Sequence, residues 1–123
     1  MNKKILIVDD IDFNVEFESK LINNIADEKN IELEIETAKD VATAINYIKS
    51  NDYDALIVDM HLPDGSGIEI AKSAREKNQN VKIAALTIYP SEYEEYKDYF
   101  DLFLKKPIMI DSYKENFIKL LQI

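Results

Sequence analysis

The sequence contains no cysteine, and its 123 residues include only two glycines and three prolines. Without cysteine the chain has no disulfide, no thiolate metal site and no cysteine nucleophile, and a reducing compartment is compatible with it. Because glycine and proline are scarce, the chain has few residues that favour flexible loops or breaks between elements. The sequence has no linker, internal repeat or low-complexity segment. We therefore expect residues 1–123 to form one domain, without a second, output domain.

Long apolar segments are also missing. Only four strongly apolar residues, Ile5-Leu6-Ile7-Val8, come before Asp9, and four are too few for the core of a signal peptide. Hydrophobic residues make up 46% of the chain and charged residues 32%, which is typical of a folded, water-soluble protein and not of a membrane span. The expected location is the cytoplasm.

Positive charge is in deficit as well. Fifteen basic residues stand against 24 acidic ones, which gives a formal net charge of −9. Such a chain repels the phosphate backbone of nucleic acid and the surface of anionic lipid. We expect protein partners, with no nucleic acid and no membrane.

Five short segments have the pattern of β-strands. Four of them are continuous apolar runs, which is typical of strands buried on both faces of a parallel sheet. The fifth alternates apolar and acidic residues, so that one of its faces meets water and it is expected at an edge. The four runs are Ile5–Val8, Ala55–Val58, Ile83–Leu86 and Leu102–Leu104, and the alternating segment is Ile31–Glu36.

Helical stretches separate these strands. Ser66 with Glu69, and Ser91 with Glu94, have the S-x-x-E spacing of a capping box and mark two expected helix starts. Five strand-helix repeats predict an α/β fold with a doubly wound, five-stranded parallel sheet and five helices. The predicted helices are Phe13–Glu28, Val41–Ser50, Ile68–Asn78, Glu92–Tyr99 and Ser112–Leu121.

Reactive side chains follow the predicted strands. In an open parallel sheet the functional crevice lies beyond the carboxyl ends of the strands. Asp9 and Asp10 follow the first strand, Asp59 the third, Thr87 the fourth and Lys106 the fifth. We expect three carboxylates, a hydroxyl and an ammonium group to meet at one rim of the sheet.

Three neighbouring carboxylates repel one another unless a cation is present. Mg²⁺ prefers oxygen ligands and commonly uses only one or two protein carboxylates together with phosphate oxygens. His61 is the single histidine and cysteine is absent, which argues against zinc. The expected cofactor is Mg²⁺, and His61 is expected to be a solvent-facing loop residue beside the site.

The chain resembles the receiver domains of two-component response regulators over essentially its whole length. Each motif is weak alone, but their order and spacing together are specific. The residues that carry the resemblance are Ile7-Val8-Asp9-Asp10 with Asn14, the segment Asp59-Met60-His61-Leu62-Pro63-Asp64-Gly65-Ser66-Gly67, Thr87, and Lys106-Pro107.

The resemblance implies a sheet of flavodoxin-like order 2-1-3-4-5 and a role for each site residue. Asp59 is expected to be the nucleophile that accepts a phosphoryl group from phosphohistidine. Asp10 and Asp59 would bind Mg²⁺ directly, with the Met60 carbonyl as a further ligand and Asp9 acting directly or through water. Lys106 would pair with a phosphoryl oxygen.

The resemblance also implies a switch and its partners. Thr87 would hydrogen-bond the phosphoryl group, and the ring of Phe103 would turn inward, although Phe103 is equally compatible with plain core packing. This change would alter the surface of the fourth helix, fifth strand and fifth helix. A homodimer could form through the same surface. The expected partners are a sensor histidine kinase or histidine phosphotransfer protein and a downstream protein effector. The chain would be a phosphoacceptor that assists its own phosphorylation and dephosphorylation, not an enzyme.

Two other functions stay open at this point. One is a protein-binding module that works without phosphorylation. The other is a small Mg²⁺-dependent phosphatase of the haloacid dehalogenase type, because Asp10-Ile11-Asp12 matches its D-x-D motif. The phosphatase and the receiver use different nucleophiles, Asp10 and Asp59 respectively.

The chain departs from the receiver pattern after Thr87, where the family usually has a small residue. Ile88 is branched and Pro90 restricts the loop backbone. We expect slow phosphorylation by small donors and an altered phosphoryl lifetime.

Two further groups of side chains are interpreted by their helical spacing. Tyr89, Tyr93 and Tyr96 are expected to pack onto the sheet, with partner binding as the alternative. The acidic residues of the first helix, Glu16, Glu18 and Glu28, are expected to form a solvated face.

Overall fold

The computed structural model describes residues 2–123, and within them five parallel strands form one sheet. The strand order is β2-β1-β3-β4-β5, and each neighbouring pair is parallel. The predicted doubly wound sheet and its order are therefore confirmed. The strands are β1 Asn2–Val8, β2 Glu32–Ala38, β3 Ala55–Asp59, β4 Lys82–Thr87 and β5 Leu102–Lys105.

Helices cover both faces of the sheet. Helices α1 and α4 pack together on one face, whereas α2, α3 and a 3₁₀ segment between β4 and β5 cover the other. A short antiparallel hairpin, which pairs His61–Leu62 with Gly65–Ser66, connects β3 to α3. The helices are α1 Asp12–Lys29, α2 Val41–Ser50, α3 Gly67–Lys77 and α4 Ile110–Leu121, and the 3₁₀ segment is Pro90–Tyr99.

The central strands are buried on both faces, as their continuous apolar sequences predict. Ile5 and Ile7 of β1 pack towards α1 and α4, while Leu6 and Val8 pack towards α2 and α3. All four side chains are at most 1% exposed. Burying one such side chain contributes about 1.5–3 kcal/mol, so the two-sided core is the main force that holds the sheet together.

Strand β2 lies at the edge, as its alternating sequence predicts. Leu33 and Ile35 pack against the core under α1, and Glu32 and Glu34 are exposed. The alternation places every second side chain on the same face of a strand. The acidic residues therefore meet water while the apolar ones are covered.

One of the two predicted capping boxes begins a helix. Ser66 is the N-cap of α3, and its Oγ accepts a hydrogen bond from the Ile68 amide at 3.1 Å. The prediction for Ser91 is wrong, because the segment begins one residue earlier at Pro90 and has no side-chain cap. Proline suits the first helical position, since it has no N–H to leave unpaired there.

The fourth helical segment is a kinked 3₁₀ segment and not the predicted α-helix, because the backbone of Tyr93 is not helical (φ −111°, ψ 16°) and divides it in two. Tyr93 lies at the kink, whereas Tyr96 and Tyr99 are three residues apart, which places these two on one face when there are three residues per turn. Tyr93 is buried, and Tyr96 and Tyr99 are partly buried against the core beside α3. Tyr89, outside this spacing, is 60% exposed, so the expected packing holds for Tyr93 and Tyr96 only.

The prediction of a solvated acidic face on α1 is wrong for Glu18. Glu16 and Glu28 are exposed, but Glu18 is fully buried against α4. Glu18 lies four and seven residues before the buried residues Ile22 and Ile25, which places all three on the core-facing side of the helix.

No helix within residues 2–123 combines the length and the apolar character needed to cross a bilayer.

Candidate functional site

The reactive side chains meet at the carboxyl ends of the parallel strands. Asp9 follows β1, Asp59 ends β3, Thr87 ends β4 and Lys106 follows β5. Carboxylate oxygens of Asp9, Asp10 and Asp59 lie within 4.8 Å of one another. The sequence therefore located the rim at which chain segments 50 residues apart come together.

Asp59 lies at the centre of this group and is held at both carboxylate oxygens. Its side chain is buried, Oδ1 accepts a hydrogen bond from the His61 amide at 3.1 Å, and Oδ2 lies 3.0 Å from the ammonium nitrogen of Lys106. The Lys106 side chain is partly buried, so water screens this ion pair less than an ion pair on an open surface. The carboxylate is thus fixed in orientation and has a cation beside it.

Asp9 is a second buried carboxylate. Its Oδ1 accepts a hydrogen bond from the Ile11 amide at 2.9 Å, and its Oδ2 accepts one from the Asn14 side chain at 3.3 Å. Burial raises the pKa of Asp9 above its usual value, and the nearby charge of Asp59 adds to this rise. The hydrogen bond from Ile11 and the charge of Lys106 act in the opposite direction. Asp10, the third carboxylate, is exposed.

The donor set of the site fits a hard divalent cation. Asp59 pairs with Lys106, and burial together with the charge of Asp59 raises the pKa of Asp9, so an added cation would favour the ionised form of these carboxylates. An oxygen-only set of this kind suits Mg²⁺. The Met60 side chain is buried, and its carbonyl accepts a 3.5 Å hydrogen bond from the Gly67 amide. The role of that carbonyl as a metal ligand stays a prediction.

Gly67 allows α3 to begin directly against the end of β3. A Cβ atom at this position would lie 2.7 Å from Val58 Cγ1 and 2.9 Å from the Asp59 carbonyl oxygen. Real side chains do not approach this closely, so any larger residue would displace the backbone of Asp59. The glycine thereby fixes the distance between α3 and the site.

Thr87 lies beside the site without contacting Asp59 by a hydrogen bond. It is buried, its hydroxyl accepts a 3.2 Å hydrogen bond from the Tyr89 amide, and its carbonyl accepts one from the Lys106 amide at 2.9 Å. Phe103 is partly buried in β5, with its ring centroid 5.4 Å from that of Phe100. The structure thus places both predicted switch residues on adjacent strands, and their roles stay predictions.

The rim contains other exposed side chains that follow the site strands. His61 is exposed as predicted, and its Nε2 lies 3.2 Å from the Tyr93 hydroxyl. Ile88 is 51% exposed at the start of the loop after Thr87. This position is compatible with the predicted steric effect of Ile88 on access to the site.

A sequence model of the response regulator receiver domain family matches residues 5–116. The chain belongs to this family, and it is a receiver domain of the two-component type. The resemblance inferred from its motifs is therefore confirmed.

Curated relatives and a solved structure agree with this assignment. Two-component response regulator 24 of Arabidopsis thaliana is 30% identical over 111 residues, which cover 87% of this chain and 76% of that protein. Hybrid signal transduction histidine kinase L of Dictyostelium discoideum is 26% identical over 120 residues, which cover 91% of this chain but 7% of the kinase. The chain therefore spans only a small part of that relative.

The response regulator TrrA of Thermotoga maritima, solved in complex with Mg²⁺-BeF, has the same fold. It is 34% identical, the alignment covers 97% of this chain and 99% of that chain, and the TM-score is 0.75. A related response regulator of known structure thus binds Mg²⁺ together with beryllofluoride.

Proposed function

We propose that this chain is a phosphoacceptor that receives a phosphoryl group on Asp59 from a sensor histidine kinase or a histidine phosphotransfer protein. One observation carries the proposal. The Asp59 carboxylate pairs with Lys106 at 3.0 Å and at the same time lies in the cluster with Asp9 and Asp10. A nucleophile, a cation for the phosphoryl oxygens and a set of metal-binding carboxylates are thus in one place.

The side chains divide the work of phosphoryl transfer. An oxygen of Asp59 attacks the phosphorus of phosphohistidine, the P–N bond breaks, and its electron pair leaves with the donor imidazole, which takes up a proton. Lys106 pairs with a phosphoryl oxygen, and the His61 amide orients the carboxylate. Asp9, Asp10, Asp59 and the Met60 carbonyl would hold Mg²⁺, which would neutralise charge on the transferred group.

The signal then passes to another protein. We call the surface of the segment Pro90–Tyr99, β5 and α4 the signalling surface. In this proposal Thr87 and Phe103 change the signalling surface after phosphorylation, and a downstream protein effector or a second copy of the chain binds there. In this proposal the protein acts in the cytoplasm and assists its own phosphorylation and dephosphorylation.

The geometry favours Asp59 over Asp10 as the nucleophile. Lys106 pairs with Asp59, and Asp10 is exposed. Family membership also supports the receiver over a phosphatase of the haloacid dehalogenase type. The alternative of a module that works without phosphorylation is decided by a labelling experiment.

We expect phosphoramidate and Mg²⁺ to add one phosphoryl group to the protein, as seen by intact mass. The Asp59→Asn variant keeps the size of the side chain but removes the nucleophile, so it should not be labelled. Asp27→Asn is the control, because it removes an exposed charge near the far end of α1. Chelation of Mg²⁺ should prevent labelling of the wild type.

Two outcomes would contradict this proposal. Labelling that persists in Asp59→Asn, or that maps to Asp10, would assign the nucleophile elsewhere. If neither phosphoramidate nor a phosphohistidine-bearing transfer domain labels the wild type, the chain is a binding module that works without phosphorylation.

A further inference from the structure

Asp64 lies on the loop after the phosphoacceptor strand and contacts a different part of the chain. Its Oδ1 accepts a hydrogen bond from the Val41 amide at 2.8 Å, and its Oδ2 accepts one from the Ala42 amide at 3.1 Å. Both amides belong to the first turn of α2, more than 20 positions earlier in the sequence. Although its side chain is exposed, Asp64 therefore uses both carboxylate oxygens in one bidentate contact.

This contact completes the N-terminal cap of α2. The first four amides of an α-helix have no partner within the helix. Of these, the Val41 and Ala42 amides donate to Asp64 and the Thr43 amide donates to the Asp40 side chain at 2.7 Å, while the Ala44 amide makes the first hydrogen bond of the helix, to the Asp40 carbonyl at 3.1 Å. Two carboxylates at this end also match the positive end of the helix dipole. Asp64 therefore supplies acceptors at the start of α2 that Asp40 alone does not supply, and it ties the loop to this helix.

Asp64 stands at the turn of the hairpin that begins directly after Met60. In this hairpin His61 pairs with Ser66 and Leu62 with Gly65, whose φ of +156° favours glycine. At the base of the hairpin, the His61 amide donates the 3.1 Å hydrogen bond to Asp59 Oδ1. The chain from Asp64 to the phosphoacceptor is thus only five residues long and makes hydrogen bonds at both ends.

The hairpin is too short to hold its own shape. Each of its strands has two residues, and even a longer two-stranded hairpin is marginally stable in water. Its orientation therefore depends on contacts with the rest of the chain, which include the packing of Leu62 against the core and the contact of His61 Nε2 with the Tyr93 hydroxyl. The base is attached to β3, and Asp64 attaches the turn to α2.

We infer that Asp64 is a positioning residue for phosphoryl transfer, because it holds the hairpin so that the His61 amide and the Met60 carbonyl face the phosphoacceptor correctly. The inference rests on the proposed function. Asp64 acts through the backbone of the hairpin and contacts neither Asp59 nor the other carboxylates of the site. Hydrogen bonds from Val41 and Ala42 lower the pKa of Asp64, so the carboxylate stays ionised at neutral pH.

The chain offers a matched pair of variants. Asp64→Ala and Asp40→Ala each remove one carboxylate from the same end of α2, but only Asp64 is part of the hairpin. Both variants should lower Tm by similar amounts, because each leaves helix amides without a protein acceptor. Only Asp64→Ala should lower Mg²⁺ affinity and the rate of labelling by phosphoramidate, by about tenfold, as expected when a group that orients a metal site is removed.

A second measurement does not depend on the metal or on phosphorylation. In the metal-free protein, the His61 amide should exchange with solvent faster in Asp64→Ala and stay as slow as wild type in Asp40→Ala. Asp64→Asn keeps one oxygen acceptor and should give intermediate values in every measurement. This variant also serves if Asp64→Ala does not fold.

The outcomes separate the inference from the function on which it rests. Equal loss of labelling in Asp64→Ala and Asp40→Ala, or an unchanged His61 amide in Asp64→Ala, would overturn the positioning role. A wild type that neither binds Mg²⁺ nor accepts a phosphoryl group would overturn the proposed function instead.

Discussion

Glu18 is a carboxyl group in the core between α1 and α4. Its side chain is fully buried, and its Oε1 accepts a hydrogen bond from the Tyr113 hydroxyl at 2.9 Å. Its Oε2 has no hydrogen-bond partner within residues 2–123. Burial raises the pKa of Glu18 to about 8, although the hydrogen bond from Tyr113 lowers the pKa in part. At neutral pH this residue is therefore mostly a neutral carboxylic acid.

The raised pKa of Glu18 predicts a specific pH dependence of stability. Between the ordinary pKa of 4.5 and the folded value of about 8, the folded protein keeps a proton that the unfolded chain has released. The stabilisation is complete below this window and is lost as the pH rises through it. We expect the free energy of unfolding of the wild type to fall relative to that of Glu18→Gln by about 1.4 kcal/mol per pH unit.

Urea unfolding of both proteins across this pH window measures the difference. Glu16→Gln, an exposed residue on the same helix, is the control and should follow the wild type. Parallel curves for wild type and Glu18→Gln would show that Glu18 does not carry the proton.

The loop between β4 and the 3₁₀ segment begins at the rim of the sheet that contains Asp59. Thr87 accepts a hydrogen bond from the Tyr89 amide, and Pro90 begins the 3₁₀ segment immediately afterwards. These contacts leave Ile88 and Tyr89 as the exposed residues of the loop. The branched side chain of Ile88 is half exposed and directly follows the end of β4.

Replacing Ile88 with alanine should open this side of the site. We expect phosphoramidate to label Ile88→Ala about two- to tenfold faster than wild type, which corresponds to at most about 1.4 kcal/mol in the barrier. The phosphoryl lifetime should become shorter, because water gains access as well. Samples quenched at successive times and analysed by intact mass give the rate of phosphorylation and the rate at which the phosphoryl group is lost.

Ile110→Ala is a suitable control for this variant. Ile110 is exposed to a similar extent, 54% against 51% for Ile88, but it lies at the start of α4. Identical rates in wild type and Ile88→Ala would show that this side chain does not limit access.

At the scale of the whole molecule, the proposed function requires that phosphorylation of Asp59 change a surface that a partner recognises. Thr87 pairs in register with Lys105, the residue before Lys106, and Phe103 pairs with Ala85 on the same two strands. Phe103 is only partly buried and packs beside Phe100, next to the 3₁₀ segment. Phe103 is therefore part of the signalling surface and lies on the same strand that leads to Lys106 of the site.

Binding of Mg²⁺ and beryllofluoride, as a phosphoryl mimic, should change the environment of Phe103. The change is expected in the aromatic NMR signals of Phe103, because the ring moves inward when the Thr87 hydroxyl bonds the mimic. Thr87→Ala should bind the mimic with the Phe103 signals unchanged, and Thr87→Ser should restore the response. An unchanged Phe103 signal in the wild type with the mimic bound would reject the switch and leave Phe103 as a core residue.

Much of the fold and of the site followed from local patterns in the sequence. Apolar runs such as Ile5–Val8 identified buried strands, and the alternation of Ile31–Glu36 identified the edge strand. Because parallel strands end at the same rim, the residues after them had to meet, and Asp9, Asp59 and Lys106 do. Side-chain periodicity is a property of short segments, and the regular alternation of strands with helices predicts parallel strands, so one sequence is enough to reveal both.

Other features depended on how the segments pack against one another. Tertiary structure buried Glu18 opposite Tyr113, 95 positions away, and brought Asp64 to the first turn of α2. It also selected a kinked 3₁₀ segment, from which Tyr93, Tyr96 and Tyr99 reach the core. Whether an acid is solvated, caps a distant helix or lies in the core depends on neighbours that local spacing does not specify. These contacts are decided only when the helices close over the two faces of the sheet.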